Sequence, residues 1–211
     1  MTLFARVAWC LVAYVAGSIP TSLIVARLFA RTDLRQFGSK NLGATNLYRL
    51  LGWKGALPAG IFDVAKGAVP VLLAVKYTTP IWFPLVVGAS AVMGHVFSPF
   101  VRFKGGKGVA TAAGVFLGLA PLSILAALAV FALVVKLSGY VSLGSMTAAG
   151  AFFATVPLFY PGDTMLLVSG AAIFSFIVYT HRANIGRLRQ GTENRFGRSR
   201  SAGPSAPRSP S

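Results

Sequence analysis

Acidic residues are nearly missing from this chain: Asp33, Asp63, Asp163 and Glu193 are the whole inventory in 211 residues. Two histidines and one cysteine complete the short supply of metal-ligating groups. Scattered as they are, they argue against a carboxylate cage or a zinc cluster, and Cys10 alone cannot form an internal disulfide. Charged residues of both signs make up 11% of the chain, where a soluble domain carries roughly 25%. That deficit excludes a surface turned wholly to water. With 55% hydrophobic residues and a mean hydropathy of +0.70, most of the surface must face lipid. What charge there is has one sign, 20 Lys and Arg giving a net +16. Such a balance suggests either nucleic acid or an anionic membrane, and the hydropathy selects the membrane.

Long apolar runs stand where charge is missing. A helix needs about 20 mainly apolar residues to cross a bilayer, and such runs lie near 4–30, 55–76, 80–101, 121–137, 141–159 and 163–181. A seventh, 108–120, is short and rich in Gly and Ala. The first run opens like a secretory leader, with Arg6 before Val7 to Ala16. It stays apolar to Phe29 without a clear small-residue cleavage site, so it is read as a span. Pro or Gly stands at or beside the turns near Thr78, Pro121, Gly139 and Pro161. The expected fold is all-α, a polytopic integral membrane helix bundle formed by residues 1–195 as one domain. Residues 196–211, mostly Arg, Ser, Gly and Pro, are expected to be a disordered basic tail lightly attracted to anionic lipid.

Three polar segments interrupt the runs: 31–54, 102–107 and the stretch after His181. They carry 15 of the 20 basic residues, so the positive-inside tendency places all three in the cytoplasm. From an outside N-terminus, span one delivers 31–54 inside, and spans two and three return 102–107 there. An even number of crossings must then follow to bring the C-terminal segment inside. Either the short run 108–120 crosses or two of the later runs merge; the first is the expectation taken, giving seven transmembrane helices with the N-terminus outside and the C-terminus cytoplasmic.

The same segments hold the residues suited to chemistry. The first reads Phe37-Gly-Ser-Lys-Asn-Leu-Gly-Ala-Thr-Asn46. Small residues let a backbone turn tightly and present successive N–H groups to an anion, while Ser39, Thr45 and the Asn side chains add donors and Lys40 and Arg49 add charge. Taken alone, an ordinary Gly/Asn loop is the slightly favoured reading. The second interleaves Gly105, Gly106 and Gly108 with Lys104 and Lys107 immediately before a helix, a good phosphate cradle. It is not a Walker A loop, because Gly108 follows Lys107. Its alternative is a positive-inside anchor, which requires no glycines. The third presents His181, Asn184 and Arg187 at helical offsets; a lone interfacial His is more often a structural hydrogen-bonder than a catalyst. Asp63 and Lys66, three apart within span two, are costly there unless paired, and an internal ion pair explains them at least as well as a site does. Ser142 and Ser145, near the turn between spans five and six, are helix caps by default and phosphate donors as the alternative.

Together these segments resemble the acyl-phosphate-dependent glycerol-3-phosphate acyltransferases of bacterial phospholipid synthesis, the PlsY family. The resemblance runs from Gly17-Ser-Ile-Pro20 to Arg187-Leu-Arg-Gln-Gly-Thr-Glu193. The family's first motif resembles Gly-Ser-Gly-Asn-x-Gly-Ala-Thr-Asn, matched by Gly38 to Asn46 with Lys40 in place of the usual glycine. The resemblance implies transfer of a fatty acyl group from acyl phosphate to the 1-hydroxyl of sn-glycerol 3-phosphate, yielding lysophosphatidic acid and inorganic phosphate. It implies that Ser39, Arg49, Lys107, His181 and Asn184 hold the glycerol phosphate, with Lys107, His181 and Asn184 catalytic. The acyl phosphate would be held by Asn41, Gly43, Thr45, Asn46, Lys104, Gly105, Gly106, Gly108, Ser142 and Ser145. No cofactor, metal or nucleic acid is expected; the partners are the two substrates and membrane lipids. The oligomeric state is left open, with a monomer as the working expectation. The implied place is a bacterial cytoplasmic (inner) membrane, with the active site on its cytoplasmic face.

Acyl phosphate is a mixed anhydride with a good leaving group, so positioning and oxyanion stabilisation can supply most of the acceleration. The proton acceptor is His181 or a substrate phosphate. The latter is preferred here, because no carboxylate near His181 in sequence would orient it. An anion transporter is the main rival and would need polar residues along a path through the bilayer, where only Asp63, Lys66 and Arg27 are available. A soluble-type acyltransferase motif, His followed four residues later by Asp, is absent. So are the aspartate clusters of metal-dependent alcohol phosphotransferases.

Overall fold

The computed structural model describes residues 1–78 and 82–197, and all regular structure among them is helical. The helices are α1 (Leu3–Ser18), α2 (Thr21–Ala30), α3 (Ala44–Tyr77), α4 (Trp82–Val96), α5 (Val109–Leu119), α6 (Pro121–Ser138), α7 (Val141–Phe159), α8 (Thr164–Thr180) and α9 (Arg182–Arg189). Five segments are long and apolar enough to cross a membrane, six if α8 and α9, bent by 58° at His181, count as one. Large side chains such as Phe4, Leu28, Phe29, Leu137 and Leu158 are more than two-thirds exposed, the outward apolar surface that lipid requires. The chain is a multi-pass membrane protein.

Two breaks depart from the expected pattern. The run 4–30 is two helices, because Pro20 follows Ile19 and cannot donate an N–H to continue the ladder. At the break Ile19 O accepts from Thr21 N–H and, across the bundle, from Lys66 Nζ, each at 3.0 Å, so the turn between α1 and α2 is tied to α3. The polar segment 31–54 is not a loop throughout: α3 begins at Ala44, and Gly52, at φ 63°, separates a short lead-in from the rest of the helix. Arg49 is therefore held on a helix.

Small residues set the crossings. A Cβ on Gly17 would run into the Ala91 backbone where α1 meets α4, and one on Gly114 would run into Val64 O where α5 meets α3. Close backbone approach of this kind stands in for the hydrophobic drive that lipid removes. The main core joins α3, α4, α5, α6, α7 and α8 through Val71, Val92, Val115, Ile124, Phe152 and Leu166. Of the tail expected at 196–211, Phe196 and Gly197 lie within the described residues. Phe196 donates its N–H to Gly139 O at 2.7 Å and stacks on Tyr48 at 4.7 Å; residues 198–211 lie outside the described residues.

Candidate active site

A cavity of about 360 Å³ opens at one end of the bundle, and all three polar segments contribute to its wall. Ser39, Asn41, Gly43, Thr45, Asn46 and Arg49 come from the first, Lys107 and Gly108 from the second, and His181, Asn184 and Glu193 from the third, with Ser142 and Ser145 from the start of α7. Below this polar rim the wall is mostly apolar, with Asp63 and His95 as its polar members. Ala112, Ala113, Ala127, Ala148 and Ala149 leave a slot between α5, α6, α7 and α8, with Phe116 and Phe152 also in its wall.

The rim is built around one carboxylate. Glu193 accepts from Asn184 Nδ2 at 2.6 Å and from Ser142 Oγ at 2.8 Å on one oxygen, and from Arg187 Nε at 2.6 Å on the other. Asn184 in turn accepts from Lys107 Nζ at 2.5 Å. Burial pushes the Glu193 carboxyl up, but the hydrogen bonds from Asn184, Ser142 and Arg187 outweigh it and hold the group below the usual range. Burial also lowers the Lys107 ammonium to about 8; Glu193 opposes that shift, while Arg187 and Arg49 add to it. With Arg49, Arg187 and Lys107 gathered against Glu193, the rim keeps an excess of positive charge.

His181 is buried, and its Nδ1 lies 2.8 Å from Ile177 O. A carbonyl can only accept, so the proton sits on Nδ1 and Nε2 is left as an acceptor. No carboxylate is required to orient this ring, which removes the ground for preferring a substrate phosphate as base. The neighbouring Thr180 Oγ1 donates to Lys107 O at 3.2 Å, tying the second segment to the end of α8.

Several expected roles change. Lys104, Gly105 and Gly106 do not line the cavity. The N–H groups of Gly105 and Gly106 already donate to Val96 O at 2.9 Å and His95 O at 3.2 Å, so they are not free to cradle phosphate. Lys40 is exposed and stays off the cavity wall. Asn46 lines the cavity, but its side chain is committed to its own loop, accepting from Ser39 N at 3.0 Å and donating to Phe37 O at 2.9 Å and Asn41 O at 3.1 Å. Neither serine caps α7, whose first residue is Val141: Ser142 serves Glu193, and Ser145 donates back to Val141 O at 2.9 Å. Asp63 and Lys66 do pair, at 2.7 Å, while Arg27 reaches Asp33 beyond the end of α2 at 3.2 Å. Glu193 itself had no assigned role in the sequence. The signal for it was there, a lone acid in a segment otherwise rich in Arg.

A cationic cavity at one end of a multi-pass helix bundle, polar at its rim and apolar beneath, defines the class: a membrane protein with its chemistry at one end. Residues 7–191 match the family model described as glycerol-3-phosphate acyltransferase. The glycerol-3-phosphate acyltransferase of Chlorobaculum parvum is 46% identical over 89% of this chain and 95% of its own length, and that of Listeria monocytogenes serovar 1/2a is 47% identical over 87% and 92%. The crystal structure of PlsY (YgiH), an integral membrane glycerol 3-phosphate acyltransferase, in its glycerol 3-phosphate form superposes with a TM-score of 0.86. It shares 38% identity over 92% of this chain and 96% of that one. The lysophosphatidic acid form gives 0.83 at 36% identity, with the same coverage. The chain belongs to the glycerol-3-phosphate acyltransferase family.

Proposed function

We propose that the protein transfers a fatty acyl group from acyl phosphate to the 1-hydroxyl of sn-glycerol 3-phosphate, at the cytoplasmic face of a bacterial inner membrane. The observation that carries this reading is the two-part cavity. Its cationic rim suits two phosphates, and its alanine-lined slot suits an acyl chain. The glycerol hydroxyl attacks the carbonyl carbon of acyl phosphate, an ester C–O bond forms, and the bond to the phosphate oxygen breaks with phosphate leaving. The hydroxyl proton passes to His181 Nε2 or to a substrate phosphate. Lys107, Arg49, Ser39 and Asn184 hold the glycerol phosphate, while Thr45, Gly108 and the opening N–H groups of α5 face the phosphate of the donor.

The reading includes seven crossings with the N-terminus outside: the five long segments, the bent α8–α9 pair and α5. At 11 residues α5 is short, about 16 Å. The hydrogen bond from Gly106 N–H to His95 O folds the preceding loop back beside the last turn of α4.

Purified protein supplied with acyl phosphate and labelled glycerol 3-phosphate, without metal or coenzyme A, should form labelled lysophosphatidic acid. Product from acyl-CoA but not from acyl phosphate would overturn the donor assignment. His181→Gln divides the two proton acceptors: activity near wild type makes the substrate phosphate the base, and loss beyond a hundredfold with glycerol 3-phosphate still bound makes it His181.

A further inference from the structure

Under the rim lies a second polar cluster for which the reaction above has no use. Asp63 on α3 and Lys66 one turn along pair at 2.7 Å, with each side chain 3% exposed. His95 of α4 is buried beside them, its Nδ1 3.8 Å from Asp63 Oδ1. The other edge of the ring faces Gly106. A Cβ added there would overlap Nε2 and lie 3.0 Å from Cε1 and 3.1 Å from Cδ2. A Cβ at Gly105 would overlap His95 O, and Gly106 N–H donates to that same oxygen at 3.2 Å. The pair of glycines is thus a seat for His95, through both its carbonyl and its ring, and the two residues that follow are Lys107 and Gly108, which do reach the cavity.

We propose that His95 is a positioning residue, oriented by the Asp63–Lys66 pair, which fixes the curvature of residues 104–108 and so aims Lys107 and the start of α5 at a bound phosphate. The inference rests on the reading of this loop as a phosphate site. It gives the two glycines a reason independent of anion approach: they accept the ring of His95, which together with Asp63 also lines the cavity, so the loop is braced from the cavity's inner wall. A cluster that only stabilised the helices would leave phosphate affinity untouched in any variant that folds.

The test is a double-mutant cycle between positions 95 and 106, made on the full chain in detergent with inorganic phosphate as the probe and calorimetry as the readout. His95→Ala should weaken phosphate binding about tenfold, and Gly106→Ala about a hundredfold because its methyl has no room. In the double variant the methyl enters the space left by the ring, so its loss should fall back to about tenfold. Asp63→Asn, which keeps the shape and removes the charge, should weaken phosphate severalfold through the freed ring, and His95→Asn should retain part of the affinity. If His95→Ala does not fold, His95→Asn replaces it in the cycle. Losses that multiply to about a thousandfold, or unchanged phosphate affinity in a folded His95 variant, would overturn the proposal, as would a wild type that binds no phosphate. A wild type that binds phosphate but makes no lysophosphatidic acid fails the acyl-transfer reading alone.

Discussion

Two ionic clusters, one buried and one partly buried, lie close together in this protein, and their difference in balance separates their tasks. The inner one sets a single carboxylate, Asp63, against a single ammonium, Lys66; both side chains are buried, with Asp63 at the inner wall of the cavity. The outer one sets Glu193 against Arg187, with Lys107 and Arg49 nearby on the same cavity wall. The inner charges cancel. The outer cluster is left with positive charge that no protein group neutralises on that wall, and a substrate phosphate can complete it. A surplus of one sign, rather than burial or the mere presence of charged groups, is what marks the outer cluster as a place for a ligand.

The largest effect should come from breaking the inner balance. Asp63→Leu leaves Lys66 buried without its partner, at a cost of about 3–5 kcal/mol, read as a fall in thermal midpoint and in membrane yield. Adding Lys66→Met should recover most of it, because no unpaired buried charge then remains and Ile19 O keeps its bond from Thr21 N–H. A double variant as unstable as the single one would show that the two charges are not coupled. In the outer cluster, Lys107→Ala should leave the fold intact and reduce kcat/KM about a thousandfold, roughly 4 kcal/mol of transition-state stabilisation. A comparable loss of thermal stability would place Lys107 with the inner cluster instead.

The pH profile sharpens the same contrast more gently. Lys107 titrates near 8; it is charged below that pH and neutral above it. The kcat/KM for glycerol 3-phosphate should therefore fall about tenfold per unit as pH rises past 8, and Lys107→Arg should move the fall upward. A flat profile to pH 10 would contradict a functional charge at this position. The smallest effect is expected outside both clusters, at Lys40, which holds φ 58° where the family motif has glycine. Lys40→Gly should stabilise the loop by about 1 kcal/mol, with kcat unchanged within twofold; a lower thermal midpoint would show the left-handed geometry to be harmless.

Much of this could be read from residue order. The helical class, the apolar runs, the gathering of the basic segments and the pairing of Asp63 with Lys66 all follow from hydropathy, charge sign and an i,i+3 spacing. Features that depend on how helices meet could not be read so. Glu193 reaches Asn184 and Arg187 only because the chain bends by 58° after α8 and then returns over the cavity. Gly105 and Gly106 suggested an anion cradle because a glycine that admits a ligand and one that admits a neighbouring helix have the same letter. His181 seemed to lack an orienting partner because a backbone carbonyl four residues back leaves no trace in composition.

The bond between Lys66 and the broken first span also constrains the order in which the molecule can be finished. The kink at Ile19 enters the bilayer while its partner, 47 residues later, is still to be synthesised. Until α3 docks, the turn between α1 and α2 has only its local bond from Thr21 N–H and lacks the tether from Lys66. The angle between the first two helices is thus fixed only when the third arrives, and a chain arrested before Lys66 should leave them free to reorient.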